Sequence, residues 1–349
     1  MDQYSLEAFE RYPVVRCRPE ELREPAEGTG VNRFRTVEAD LRQRPEFSGP
    51  TLLALHISRE ETSRPEETES ALRAYGAGLC CHPCLLGVTL RADGPQAIRR
   101  RLWEAAAEAF SPIRLIISVT DAEQLDYTLK RDIAGGLLAP IGANPYDTCE
   151  AFAEQGIQRL YRRMPVLVRA ETDAPENAAD YAEQWHASAA ENVPDAVTGC
   201  RIALRRLTYP KRLSSGGFAP MRFWWTNRGP AYRHGKAQAA LRLAGDNGCV
   251  LPIPVPDAPE HIPLADRVFN GILRLPAADP GEYRLEFGLF DEKGTGIALC
   301  HPGRTADGWY PAGMMRIDLV PRPEYEHVWD GWDPDAYYPL FDPKVPGTK

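Results

Sequence analysis

Over the first 210 residues, short apolar runs alternate with helix-patterned stretches; beyond them, polar and apolar positions alternate almost without helix. The early strand-like runs are Val14–Cys17, Thr51–Ile57, Leu85–Leu90, Arg114–Val119, Gly136–Ala139, Val166–Ala170 and Ile202–Leu204. Several are apolar at consecutive positions, as strands covered on both faces must be. Between them, Pro95–Phe110, Asp121–Arg131, Thr148–Tyr161 and Ala178–Glu191 carry helix-forming composition, with Pro95 suited to a first turn and Trp185 a bulky anchor in the Ala-rich last segment.

A strand-then-helix alternation predicts a parallel sheet with right-handed crossovers. About seven such strands favour a barrel over an open sheet. The stretch is shorter than the roughly 250 residues of a full eight-fold barrel, so the expectation is a shortened or incomplete TIM-like β/α barrel.

The texture changes at Tyr209–Gly217, where Pro, Ser and Gly cluster. Met221–Thr226, Ala237–Leu243, Gly281–Phe290, Gly296–Leu299 and Met314–Val320 then read as strands, and Asn227–Pro230 and Asp291–Gly294 as turns. Short alternating strands with such turns predict an antiparallel β-sandwich. The expected fold class is α/β plus all-β. Residues 1–210 form the barrel-like domain, 211–321 the sandwich, and 322–349 an acidic aromatic tail bearing Tyr325, Trp329, Trp332, Tyr337, Tyr338 and Phe341.

Three motifs in the C-terminal third resemble a known pattern. Arg222–Tyr232 is similar to a strand entering an N-x-G-x-A-P-x-Y type turn. Leu275-Pro276 with Pro280–Leu285 resembles an lPaGtY.l strand, and Asp307–Gly313 a late aromatic turn. Upstream, Met164–Glu171 is similar to an aPvxgE strand near a barrel's end. Together, over about residues 160–320, they resemble an uncharacterised bacterial family that joins a glycoside-hydrolase-like β/α barrel to a C-terminal β-sandwich. The resemblance implies a carbohydrate as ligand or substrate. The barrel stretch here is shorter than in that family, and the family's usual export signal is missing.

Glycoside hydrolysis requires two carboxyl groups flanking the scissile bond. In β/α barrels catalytic groups stand at the C-terminal strand ends. Glu171 follows Val166–Ala170, and Asp121 follows the Ile116 strand, which makes them the expected acid/base or nucleophile pair. Asp121 also suits the cap of the helix beside it. Glu60 and Asp93 occupy equivalent strand ends. His56 is either a ligand-binding residue at the barrel mouth or a satisfied core histidine. Trp185, Trp225, Trp309 and Tyr310 are aromatic candidates for a sugar's apolar face; Trp224 and Trp225 should point to opposite faces of their strand, one into the core and the other exposed or covered by a neighbouring domain. The alternative function is a non-catalytic carbohydrate-binding or structural accessory protein on a degenerate barrel.

Charge narrows the partners. Forty-one basic against 49 acidic residues give a formal −8, which argues against nucleic acid. No apolar run approaches the ~18 residues of a membrane span. The opening residues lack a secretion signal's apolar core, and the eight cysteines are scattered, so reduced thiols in a cytoplasm are expected. Cys80-Cys81-His82-Pro83-Cys84 carries redox or zinc spacing, but no second pair follows and a strand rather than a helix comes next. Small apolar thiols leading into a buried strand is the favoured reading there. Gly28-Thr29-Gly30 lacks the rest of a dinucleotide fingerprint. No cofactor and no metal is called for. The aromatic tail is the expected contact for self-association or a partner protein.

Overall fold

The computed structural model of the chain describes residues 9–12, 33–42, 45–113, 115–154, 157–210, 212–248, 250–253, 255 and 267–319. Val14–Cys17, Gly28–Gly30, Arg114, Val320 and the tail lie outside them. Two compact units emerge. One is Gly30–Cys200 with Gly229–His234; the other takes Arg201–Arg228 and the described residues outside the first. The first described strand, β1 (Phe9–Tyr12), belongs to the second unit.

The first unit is a seven-stranded parallel sheet whose spatial order follows the chain: β2 (Arg35–Ala39), β3 (Thr51–Ile57), β4 (Leu85–Ala92), β5 (Leu115–Ser118), β6 (Ala134–Ile141), β7 (Val166–Ala170) and β8 (Ala187–Glu191). Helices α1 (Arg59–Thr62), α2 (Pro65–Leu79), α3 (Gln96–Ala109), α4 (Ala122–Lys130), α5 (Pro145–Glu154) and α6 (Ala178–Gln184) lie in the connections, and a 3₁₀ turn at Ile157–Arg162 precedes β7. The sheet curls until its ends meet. Arg33 bridges Ala190, and the Phe34 N–H donates to the Ala190 carbonyl at 3.2 Å. This is the expected barrel-like β/α arrangement.

Alternation along each strand sorts side chains into two layers. Outward residues such as Leu53, Leu55, Val88, Leu90, Ile117, Leu137, Val166 and Val168 pack beneath Leu72, Leu102, Trp103 and Leu125 of the helices. Inward, Phe34 just before β2 and Leu52, Leu86, Ile116, Leu138, Leu167 and Ala189, one from each of β3 to β8, form a separate apolar layer. The interior is therefore filled at this level. Gly136 is part of that fit, since a Cβ there would lie 2.5 Å from the Ile116 Cδ1.

Two expectations need correction here. Ala178–Glu191 is not one helix: α6 stops at Gln184, His186 adopts φ 58°, and Ala187–Glu191 is β8. Pairing with β7 and burial override alanine's helix preference. The helix expected over Thr148–Tyr161 begins earlier, at Pro145, and ends at Glu154 before the 3₁₀ turn.

The second unit is β throughout its described residues. Strands β1, β9 (Ile202–Pro210), β11 (Phe218–Asn227) and β14 (Arg267–Arg274) form an antiparallel sheet in the order β1-β9-β11-β14. Strands β10 (Arg212–Ser214), β16 (Tyr310–Asp318), β15 (Gly281–Phe290), β12 (Gln238–Gly245) and β13 (Val250–Ile253) form the other, in that order. This second sheet is mixed rather than purely antiparallel, because β10 runs parallel to β16. The return strand expected at Gly296–Leu299 is reduced to a single bridge between Phe290 and Gly296. Trp225 of β11 meets Phe287 of β15 edge-on at 6.5 Å, and the Leu204 N–H of β9 donates to His301 Nε2 at 2.9 Å. Burial holds His301 neutral, with its pKa lowered to about 3.

Candidate functional site

Five strands of the curled sheet, β2, β4, β5, β7 and β8, change character on their inner face toward the C-terminal end. Beyond the apolar layer the inward positions are Thr36, Thr89, Ser118, Arg169 and Glu191, fixed by the outward placement of their apolar neighbours. Glu191 is 8% exposed. Its carboxylate accepts from both the backbone N–H and the hydroxyl of Thr36. Arg169, the register partner of Glu191, reaches Glu171 at 3.2 Å. Ser118 and Thr120 share a hydroxyl hydrogen bond of 2.8 Å.

At the ends of β3 and β4, His56 Nε2 lies 3.3 Å from Asp93 Oδ2. The His56 side chain is 57% exposed, so the core-histidine reading is overturned. Its register partner on β4 is Arg91. Glu60 is exposed in the first turn of α1, whose capping box is built from Ser58 and Glu61 rather than from Glu60.

Asp93 and Asp121 line one cavity of about 350 Å³ together with Leu90, Arg91, Ala92, Gly94, Arg99 and Trp103. It lies beside the end of β4, the β4–α3 loop and the start of α4. Asp121 has two roles in the structure: it lines the cavity and it caps α4, accepting the Gln124 N–H at 3.0 Å. Glu171 is not among the residues that line this cavity. The two carboxylates singled out as a catalytic pair therefore stand at strand ends of the same barrel-like unit, each already engaged, one by Arg169 and one by a helix cap.

Cavity residues Arg99 and Trp103 escaped the sequence reading. Arg99 stands in a basic run with Arg100 and Arg101, yet its side chain is only 28% exposed, and it pairs with Glu123. The signal available was Trp103 four residues later, on the same helix face.

The aromatic candidates fall elsewhere. Trp185 is buried against Phe152 and Tyr181. Trp225 and Tyr310 are each 1% exposed in the second unit, where the Leu299 N–H donates to the Tyr310 hydroxyl. Trp224 is buried as well as Trp225, and the Arg205 guanidinium lies 4.3 Å from the Trp224 ring. Trp309 packs on Phe290, with the guanidinium of Arg242 4.5 Å from its ring centroid.

The cysteine cluster follows α2. Cys80 Sγ and Cys81 Sγ are 3.7 Å apart, and the Cys84 N–H donates to His82 Nδ1. The contact with Cys81 pushes the Cys80 thiol pKa up, away from the thiolate that redox chemistry uses. Cys81 is exposed rather than covered. Among the described residues no group of three or more His, Cys, Asp or Glu is placed to hold a metal ion, and no helix is long and apolar enough to cross a membrane.

No protein-family profile matches the chain, and no curated protein does. Among solved structures it is similar to the CARDB domain of a Pyrococcus furiosus protein, at 12% identity over 34% of this chain and 87% of that one, with a TM-score of 0.21. It is similar to a Pseudomonas fluorescens alkylpurine DNA glycosylase at 11% identity, over 74% of this chain and 53% of that one, with a TM-score of 0.21. A mutant beta-glucosidase from Listeria innocua in complex with laminaribiose gives 10% identity, over 91% of this chain and 49% of that one, with a TM-score of 0.23. The chain thus spans about half the length of the latter two. At such scores none of the three bears on fold or chemistry.

Proposed function

We propose that this chain is a glycoside-hydrolase-like carbohydrate-binding protein whose ligand is held at the C-terminal strand ends of the barrel-like unit, between Glu171 and Asp121. One observation carries the reading: the inner face passes from an apolar layer to a rim of hydroxyls, carboxylates and guanidinium groups at the end where β/α barrels place their sites. Sugars present hydroxyls that both donate and accept, and such a mixed rim meets both needs. The two sheets of the second unit are read as a sandwich, on the Trp225–Phe287 contact between them.

Binding without hydrolysis is favoured over catalysis by a specific observation. Glu171 is engaged by Arg169, Asp121 gives one oxygen to the cap of α4, and the two do not line one cavity as a pair flanking a glycosidic bond would. The test is a panel of mono- and disaccharides followed by calorimetry, alongside release of nitrophenol from aryl glycosides. The expected result is binding that Glu171→Gln weakens about 10-fold, with no glycoside cleavage. Cleavage abolished by Glu171→Gln overturns the non-catalytic reading; absence of binding across the panel overturns the carbohydrate reading.

A further inference from the structure

We propose that Cys80 and Cys81 form a two-sulfur site for a thiophilic trivalent metalloid of the arsenic(III) class that carries one organic group of its own. The proposal stands apart from the carbohydrate reading. The two cysteines follow α2 directly: Cys80 is its capping residue, and Cys81 opens the turn into β4. Side chains of adjacent residues at a helix do not ordinarily face each other. Here Cys80 Sγ and Cys81 Sγ converge to 3.7 Å. The contact lies at the surface, with Cys81 exposed and Cys80 half-buried, so a small molecule reaches the pair from solvent.

That spacing suits a shared atom better than a bond between the sulfurs. A disulfide draws its sulfurs to about 2.05 Å and sets its Cα atoms about 4.4–6.8 Å apart. Adjacent residues joined by a trans peptide, as these are, hold their Cα atoms at about 3.8 Å. One atom bonded to both sulfurs at about 2.3 Å, the zinc–thiolate length, with an angle of about 100–110°, places them about 3.5–3.8 Å apart. The two sulfurs already stand at that separation.

The neighbours set the class of the bridging atom. His82 Nδ1 accepts the Cys84 N–H at 3.3 Å, and the ring packs on Phe47 with centroids 4.4 Å apart, so that nitrogen is taken. Among the described residues no third His, Cys, Asp or Glu joins the pair in a metal-binding group. Zinc asks for four ligands and the pair offers two. A trivalent arsenical with one carbon substituent asks for two. The state of the thiols agrees: contact with Cys81 keeps the Cys80 thiol protonated, and the negative pole of α2 disfavours a thiolate there. The condensation consumes protonated thiols. Two arsenic–sulfur bonds form, the arsenic–oxygen double bond breaks, and both thiol protons leave with that oxygen as water. Neither arsenic nor sulfur changes oxidation state, so no further reactant enters.

The experiment treats the reduced full chain with phenylarsine oxide and follows its intact mass. The expected product has gained one phenylarsenic unit and lost two hydrogens, survives mercaptoethanol and is released by ethanedithiol. Cys80→Ser and Cys81→Ser each keep one sulfur and should hold the probe about 100-fold more weakly, the loss expected when two points of attachment become one. Cys84→Ser should hold it as the parent does. Should Cys80→Ser not fold, as circular dichroism would show, Cys81→Ser at the exposed position carries the test. No adduct on the parent, or one held equally by Cys81→Ser, overturns the site. A loss in Cys84→Ser as large as in Cys81→Ser moves it to that pair and overturns the assignment. Cadmium ion displacing the arsenical from the parent, but not binding Cys81→Ser, overturns the metalloid class in favour of a metal ion. Prompt formation of a Cys80–Cys81 disulfide under hydrogen peroxide, found by peptide mapping, overturns the bridging geometry.

Discussion

The carboxylate of Glu191, on the last strand of the curled sheet, holds both the backbone N–H and the hydroxyl of Thr36 on the first strand. Two donors from one residue converge on one buried acidic group, and the sheet's two edges are fastened at that point. Hydrogen bonds to a charged group contribute about 1.5–3 kcal/mol each, so Glu191→Ala should cost about 2–4 kcal/mol. Urea denaturation measures it. An unchanged midpoint would mean that the backbone contact between Phe34 and Ala190 closes the sheet without this carboxylate.

His301 makes the second unit sensitive to acid. Its pKa is lowered to about 3 by burial, against an ordinary value of 6.5. Above about pH 6.5 both folded and unfolded chains carry it neutral, and its contribution is complete. As pH falls below 6.5 the unfolded chain takes up a proton that the folded one refuses, and stability declines by about 1.4 kcal/mol per pH unit until near pH 3. Titrating the unfolding free energy of wild type and His301→Gln between pH 7 and pH 4 isolates the effect. The variant should show the shallower slope; parallel curves would refute the assignment.

Glu286 is 2% exposed and is held by Arg242 Nε at 2.5 Å and Arg284 Nε at 2.6 Å, while Arg242 also reaches Asp307 at 2.6 Å. Removing the acid leaves Arg242, mostly covered beneath Trp309, with a diminished partner set. Glu286→Ala is expected to lose about 3–5 kcal/mol, the usual cost of breaking a buried pair from one side. Asp307→Ala, at the exposed end of the same network, should lose under about 1 kcal/mol. Thermal melts of the two variants give the comparison, and equal losses would contradict it.

Gly136 sits where a Cβ would fall 2.5 Å from the Ile116 Cδ1 and 3.2 Å from the Pro165 carbonyl oxygen. Gly136→Ala should destabilise by about 1–3 kcal/mol through overpacking. Ile116→Val removes the nearer offender and should recover part of the loss in the double variant. A double-mutant cycle without coupling would show that the sheet yields at this point.

At the rim, His56→Ala unpairs Asp93, a residue of the Trp103 cavity. Sugar affinity is expected to fall a few-fold while the melting temperature stays within about 2 °C, because the pair is largely exposed and worth under about 1 kcal/mol. Calorimetry with the tightest ligand of the panel measures this; unaltered affinity would place the ligand away from His56.

Strands β3 and β7 were legible to the residue because continuous apolar runs bounded by turn residues have one reading. Strand β2, with Arg35 and Glu38 in a five-residue run, carries no such signal; only its pairing with β3 makes it a strand. Strand β8 was disguised by alanine, which favours helix until a neighbouring strand supplies its hydrogen bonds. Of the site, the strand-end carboxylates were visible because strand ends were. The cavity that joins Asp93 to Asp121 was not, since part of its wall comes from the side of α3, where a tryptophan and an arginine read from sequence as core and surface.

Strand β1 pairs with β9, Phe9 opposite Pro210 and Tyr12 opposite Leu207, with the whole curled sheet lying between them in the chain. On a ribosome this order imposes a wait. The strands β2 to β8 can zip up one after another as they emerge, each beside its predecessor. Residues 9–12 stay without their sheet partner until nearly 200 more residues have been made, roughly 10–40 s at about 5–20 residues per second. The unit that holds both β1 and β16 is thus the last to be completed, and a chain stalled before β9 should hold a folded barrel-like unit and an unpartnered β1.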